Sequence, residues 1–218
     1  MNKTAVIFDL DGVIVDTTKY HYLAWKKLAN QLGFDFTHEQ NELLKGVSRV
    51  KSLEILLEIG NITLSDSEKK QFMHQKNEVY LSYIQKMDDS EILPNIKSLL
   101  HHLKKQGISI ALGSASKNAK LILNILNITS YFDVIVDGNK VTAAKPDPEV
   151  FLLAAKLLNK NPDECIVVED AAAGIEAAIA ANMLCIGIGN KEILKEAHFV
   201  LENTSMLTNE FIDKLIIK

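Results

Sequence analysis

The chain has 218 residues, 47% of them hydrophobic and 24% charged, which fits one large domain or two small ones. That balance excludes a disordered chain, and a net charge of −4 offers no global basic field for nucleic acid. No apolar run approaches the roughly 18 residues of a membrane helix, and Asp9 and Asp11 interrupt the run a signal peptide would need, so a cytoplasmic protein without a membrane partner is expected.

In chain order, the first predicted element is the apolar run Ala5–Phe8. Between about Thr17 and Met87 only helical patterns follow: Tyr20–Leu32, with Leu23, Trp25, Leu28 and Leu32 as its apolar stripe, and Ser65–Met87, opened by a Ser65/Glu68 capping box. Beyond them, the strand-like runs Ile108–Leu112, Val134–Val136, Ile166–Val168 and Leu184–Ile188 are mostly separated by helical segments Ile96–Lys105, Ala119–Leu126, Val150–Leu158 and Gly174–Asn182. Continuous rather than alternating strands with helices between them predict an α/β, doubly wound (Rossmann-like) parallel sheet covered on both faces. Seventy helical residues are too many for a simple crossover. They predict an inserted all-helical cap domain, 17–87, in a core domain of 1–16 and 88–218, with a hinge near Val15–Thr18 and Asp88–Ile92. Cys165 and Cys185 lie in apolar runs and read as buried, reduced thiols.

Four segments carry chemistry. Asp9-Leu10-Asp11-Gly12 follows the first strand directly, and two carboxylates this close repel unless a cation stands between them; a bland alternative is an acidic loop capping the strand. Glu169-Asp170 follows the fourth strand. Carboxyl ends of neighbouring parallel strands face one crevice, so the two pairs are expected to converge on a hard cation, Mg²⁺. Gly113-Ser114-Ala115-Ser116-Lys117-Asn118 precedes a helix and offers hydroxyls and N–H groups to an anion, although Ser and Asn are also ordinary N-caps. Lys145-Pro146-Asp147-Pro148 precedes another helix on a proline-stiffened loop, where Lys145 can point inward or simply be solvated. A nucleophilic Asp, a divalent ion, a hydroxyl and a lysine together describe phosphoryl transfer.

Of the 24 lysines and arginines, Arg49 is the only arginine. A lysine-rich codon bias explains the scarcity but predicts no position for the exception. A planar guanidinium that grips a phosphate does.

Asp9-Leu10-Asp11-Gly12, Ser114, Lys145 and Glu169-Asp170 match in order the four motifs of the haloacid dehalogenase-like phosphotransferase superfamily. Within it the chain resembles the β-phosphoglucomutase family, through Asp16-Thr17, His21, Trp25, Lys45-Gly46-Val47-Ser48-Arg49, Lys76-Asn77, Ser114 to Asn118 and Ala173-Gly174-Ile175. The resemblance implies that Asp9 is the nucleophile and Asp11 the general acid and base. It implies one Mg²⁺ held by Asp9, the Asp11 carbonyl, Glu169 and Asp170, with Ser114 and Lys145 on the transferring phosphoryl group. It implies a distal phosphate bound by Arg49 with Ser116, Lys117 and Asn118, and His21 and Lys76 supporting Asp11. Thr17, Trp25, Gly46, Val47 and Ser48 complete the implied substrate pocket. The implied activity is an isomerase, acting as a monomer on a small sugar phosphate. It converts β-D-glucose 1-phosphate to D-glucose 6-phosphate through β-D-glucose 1,6-bisphosphate, which also activates it.

Two departures stand out: Ala171-Ala172 lacks the Ser that often follows the acidic pair, and Gly113 stands where a bulkier residue is usual, which predicts a more mobile loop before Ser114. Two other readings use the same residue types. A sugar-phosphate phosphatase would let water attack the aspartyl phosphate. A signalling receiver would be phosphorylated on an Asp after its third strand, here Asp137, but it lacks a large helical insertion.

Overall fold

A computed structural model describes residues 3–216. Six parallel strands form one sheet in the order β3-β2-β1-β4-β5-β6: β1 Ala5–Phe8, β2 Ser109–Gly113, β3 Val134–Val136, β4 Cys165–Glu169, β5 Leu184–Ile188 and β6 Phe199–Leu201. This is the Rossmann-like order; a receiver would show 2-1-3-4-5, so that reading falls. The sixth strand is not among the runs expected from the sequence; its first residue, Phe199, is exposed.

Successive residues of the central strands serve two cores. Val6, Phe8, Ile166 and Val168 face one side, under α5 (Ile96–Lys105), α6 (Ala119–Ile125) and the C-terminal α9 (Asn209–Ile216). Ala5, Ile7, Cys165 and Val167 face the other, under α7 (Glu149–Leu157) and α8 (Ala172–Ala180). A strand apolar on both faces is what a doubly covered parallel sheet requires. Cys165 and Cys185 are both free and buried, and burial pushes the Cys165 thiol up to about 11.

Between β1 and α5 run four helices: α1 Thr18–Gln31, α2 His38–Glu42, α3 Arg49–Gly60 and α4 Asp66–Ile84. They enclose a core of their own around Trp25, Leu28, Phe36, Leu53 and Leu56. On α1 the expected stripe is corrected: Leu23 is 41% exposed, and Ala24, Trp25, Leu28 and Ala29 face inward. The Ser65/Glu68 capping box forms as expected. Chain leaving and re-entering the sheet lies side by side, with Leu93 N–H donating to the Ile14 carbonyl (3.0 Å) and Asp16 N–H to Glu91 (3.1 Å). Among the described residues no helix is long and apolar enough to cross a membrane.

Candidate active site

Strand register sets the site. Phe8 aligns with Leu112 on one side and Val168 on the other, so the next residues, Asp9, Gly113 and Glu169, emerge together at the carboxyl edge. Asp11, Ser114 and Asp170 follow within one or two residues. Lys145 reaches across from the loop before α7. Its Nζ donates to Asp9 Oδ1 (2.6 Å), Glu169 Oε2 (2.8 Å) and the Gly113 carbonyl (3.1 Å). Burial alone would lower the Lys145 pKa, but the Asp9 and Glu169 charges hold it above its usual value. Pro148 caps the N-terminus of α7. Gly113 is not in a mobile loop but in the buried end of β2, where a Cβ would come within 3.0 Å of Phe151.

Oxygens of Asp9, Glu169 and Asp170 lie within 4.8 Å of one another. Burial, then the Glu169 and Asp9 charges, pushes the Asp170 carboxyl well above its ordinary value, and among the described residues nothing donates to it. Gly12 permits this crowding: it adopts φ +76°, and a Cβ there would sit 2.1 Å from Asp170 Oδ2. Three oxygen ligands that cannot all ionise without a positive charge fit a hard divalent cation. Mg²⁺ at about 100 times its Kd is expected to raise Tm by about 5–10 °C. Differential scanning fluorimetry of wild type and Asp170→Asn checks this, and an unchanged shift in the variant would sink the assignment.

Asp11 accepts a hydrogen bond from Thr17 Oγ1. Thr17 is fully buried and is not among the residues that line the cavity. Burial, reinforced by the Asp9 charge, raises the Asp11 carboxyl to about 7. It can therefore give and take a proton near neutrality.

The helical segment closes over this edge. Gly46, at φ +71°, approaches the core so closely that a Cβ would lie 2.6 Å from that of Ala171. The cavity between them measures about 530 Å³ and touches Asp9, Asp11, Ser114, Lys145 and Asp170 on the core side. His21, Trp25, Gly46, Val47, Ser48, Arg49 and Lys76 line it from the helical side, and Ser116, Lys117 and Asn118 from the loop after β2. Ser114 Oγ and Ser116 Oγ each accept the N–H two residues on, holding that loop in its turn.

Lys76 is buried on α4, with Nζ 2.9 Å from His21 Nδ1 and 4.6 Å from the Trp25 ring centre. Burial first, then Arg49, lowers its pKa to about 7, and burial with Lys76 and Arg49 keeps His21 well below its usual value. Sequence reasoning assigned no role to three residues here. Asn77 links Arg49 to Asn118, Tyr80 walls the cavity with a buried hydroxyl, and Lys45 lowers the Asp170 pKa from the helical side. Lys45 and Asn77 stand among the residues that carry the family resemblance, and Tyr80 lies on the buried stripe of α4 with Lys76 and Ile84.

The sequence profile of the haloacid dehalogenase-like hydrolases matches residues 3–182. The chain belongs to this family. It is 44% identical over 210 residues to the β-phosphoglucomutase of Bacillus subtilis, covering 95% of this chain and 93% of that one. It superposes on a crystal structure of β-phosphoglucomutase from Clostridium difficile with TM-score 0.95 at 48% identity, covering 99% of this chain and 97% of the other. A phosphorylated carbohydrates phosphatase of Thermotoga maritima is more distant, 33% identical over 82% of each chain.

Proposed function

We propose that this protein is a β-phosphoglucomutase, interconverting β-D-glucose 1-phosphate and D-glucose 6-phosphate through β-D-glucose 1,6-bisphosphate. The observation that carries the reading is one cavity between the core and the helical segment with groups suited to an anion at each of two ends. Asp9, Ser114 and Lys145 serve one from the core, and Arg49 and Asn118 meet at the other. A hydrolase needs only the first end. A mutase must hold a bisphosphate in both orientations, so it needs both.

In this reading a carboxylate oxygen of Asp9 attacks the phosphorus of the bisphosphate, and the bond from phosphorus to the sugar oxygen breaks. Asp11 gives its proton to the departing oxygen. In the reverse sense it takes the proton of the sugar hydroxyl that attacks the Asp9 phosphoryl group. Ser114 and Lys145 hold the transferring oxygens. Lys76, held by His21, draws the Asp11 pKa down from the helical side. Asp9, Glu169, Asp170 and the Asp11 carbonyl would hold Mg²⁺, which when bound offsets the negative charge of the phosphoryl oxygens. Residues 17–87 act as the cap of a core made from 1–16 and 88–218, excluding the water that would hydrolyse the aspartyl phosphate. All these groups come from one chain, which supports a monomer. The charged substrate does not cross a bilayer unaided, which supports a cytoplasmic location.

Incubation with β- or α-glucose 1-phosphate and Mg²⁺, with and without bisphosphate, tests the reading. The expected result is glucose 6-phosphate from the β anomer, primed by bisphosphate, with little inorganic phosphate. Inorganic phosphate as the main product would make the protein a phosphatase. Arg49→Lys, which loses the planar fork, is expected to weaken bisphosphate binding about tenfold or more. Equal affinity would remove Arg49 from the distal site.

A further inference from the structure

Asn77 joins the two halves of the cavity. Its Oδ1 accepts from Arg49 Nη2 at 2.7 Å and from Asn118 Nδ2 at 3.0 Å. Arg49 opens α3 and Asn77 lies on α4, both in the helical segment, whereas Asn118 precedes α6 in the sheet domain. Two donors facing one atom identify it as the amide oxygen. Among the described residues no carboxylate pairs with Arg49, so the chain's sole arginine is satisfied by a neutral acceptor.

That choice has a chemical consequence. A carboxylate at position 77 would pair with the guanidinium and repel an arriving phosphate. An apolar side chain would leave a half-buried guanidinium and the Asn118 amide without their shared acceptor. An amide oxygen accepts from both donors yet binds Arg49 more weakly than a phosphate oxygen does, so an anion displaces it.

We propose that Asn77 is a positioning residue for the distal phosphate site. Its carbonyl stands in for a phosphate oxygen, holds Arg49 and Asn118 together while the site is free, and yields both donors when the far phosphate of a bisphosphorylated sugar enters. This rests on the mutase reading and deepens it: selectivity for a second phosphate is built partly by a residue that carries no charge.

Two measurements on the Mg²⁺-loaded protein separate this role from a structural one. In an Asp9→Asn background, which takes no phosphoryl group, glucose 1,6-bisphosphate is titrated calorimetrically. With Asp9 intact, hydrolysis of acetyl phosphate, a phosphoryl donor without a second phosphate, reports on the core alone. Asn77→Ala is expected to weaken bisphosphate binding about tenfold, and Asn77→Asp about a hundredfold because it adds like charge. Acetyl phosphate turnover should stay within about twofold in both, because the side-chain hydrogen bonds of Asn77 run to Arg49 and Asn118 and to none of the core groups. Unchanged bisphosphate affinity overturns the proposal. So does Asn77→Asp binding as well as Asn77→Ala, or a parallel fall in acetyl phosphate turnover, which marks a merely structural role. Should wild type form no glucose 6-phosphate, the mutase reading fails, while the binding comparison, made without turnover, still decides Asn77.

Discussion

Replacing Asp9 by asparagine is expected to lower turnover by at least about 10⁴-fold and to abolish covalent phosphorylation of the protein. The amide keeps the shape of the carboxylate and an oxygen for Lys145, so the sheet edge stays assembled. What it loses is the nucleophilic oxygen and one charge of the three that would hold the cation. Steady-state kinetics with β-glucose 1-phosphate gives the rate, and intact-protein mass spectrometry detects a phosphoryl adduct. Turnover within tenfold of wild type, or an adduct on the variant, would transfer the nucleophile's role elsewhere and undo the mechanism.

Lys145→Met is expected to cost about 3–5 kcal/mol of stability at neutral pH in metal-free protein, besides impairing phosphoryl transfer. Methionine fills a similar volume but leaves Asp9 and Glu169, both buried, without the cation that lies 2.6 Å and 2.8 Å from their oxygens. The cost depends on pH in a determined sense. Burial raises the Glu169 carboxyl from 4.5 to about 7 even though Lys145 opposes the rise. Without Lys145 it rises further. A carboxyl whose pKa is higher folded than unfolded binds more protons in the native state, so stability falls as pH climbs between the two values. The deficit of the variant is therefore largest near pH 8 and shrinks toward about pH 5. Urea unfolding in chelator at both ends of that range measures it. A deficit below about 1 kcal/mol at both would mean that the ion pair carries no net stability.

Much of this is legible in the sequence. Five of the six strands are continuous apolar runs, and their double-sided burial follows from having no polar alternation. The motifs at Asp9, Ser114, Lys145 and Glu169 follow or precede those runs directly, so a parallel sheet can only collect them at one edge. The misreadings have local causes. Leu23 was placed on the buried stripe of α1 by residue type, but the helix turns Ala24 inward, where a small side chain packs against the neighbouring helix.

Composition and pattern alone determined the sheet, the helical insertion and the residues that meet at the carboxyl edge, because burial of apolar runs and short connections act along the chain. Three features were decided only by the tertiary structure: closure of the helical segment over that edge, the choice of Lys145 as the buried counter-ion, and the bridge through Asn77. Each depends on groups more than forty positions apart, or on opposite sides of a seam, coming within a hydrogen bond of one another. Such approaches are set by how two packed bodies fit, and no local propensity encodes that.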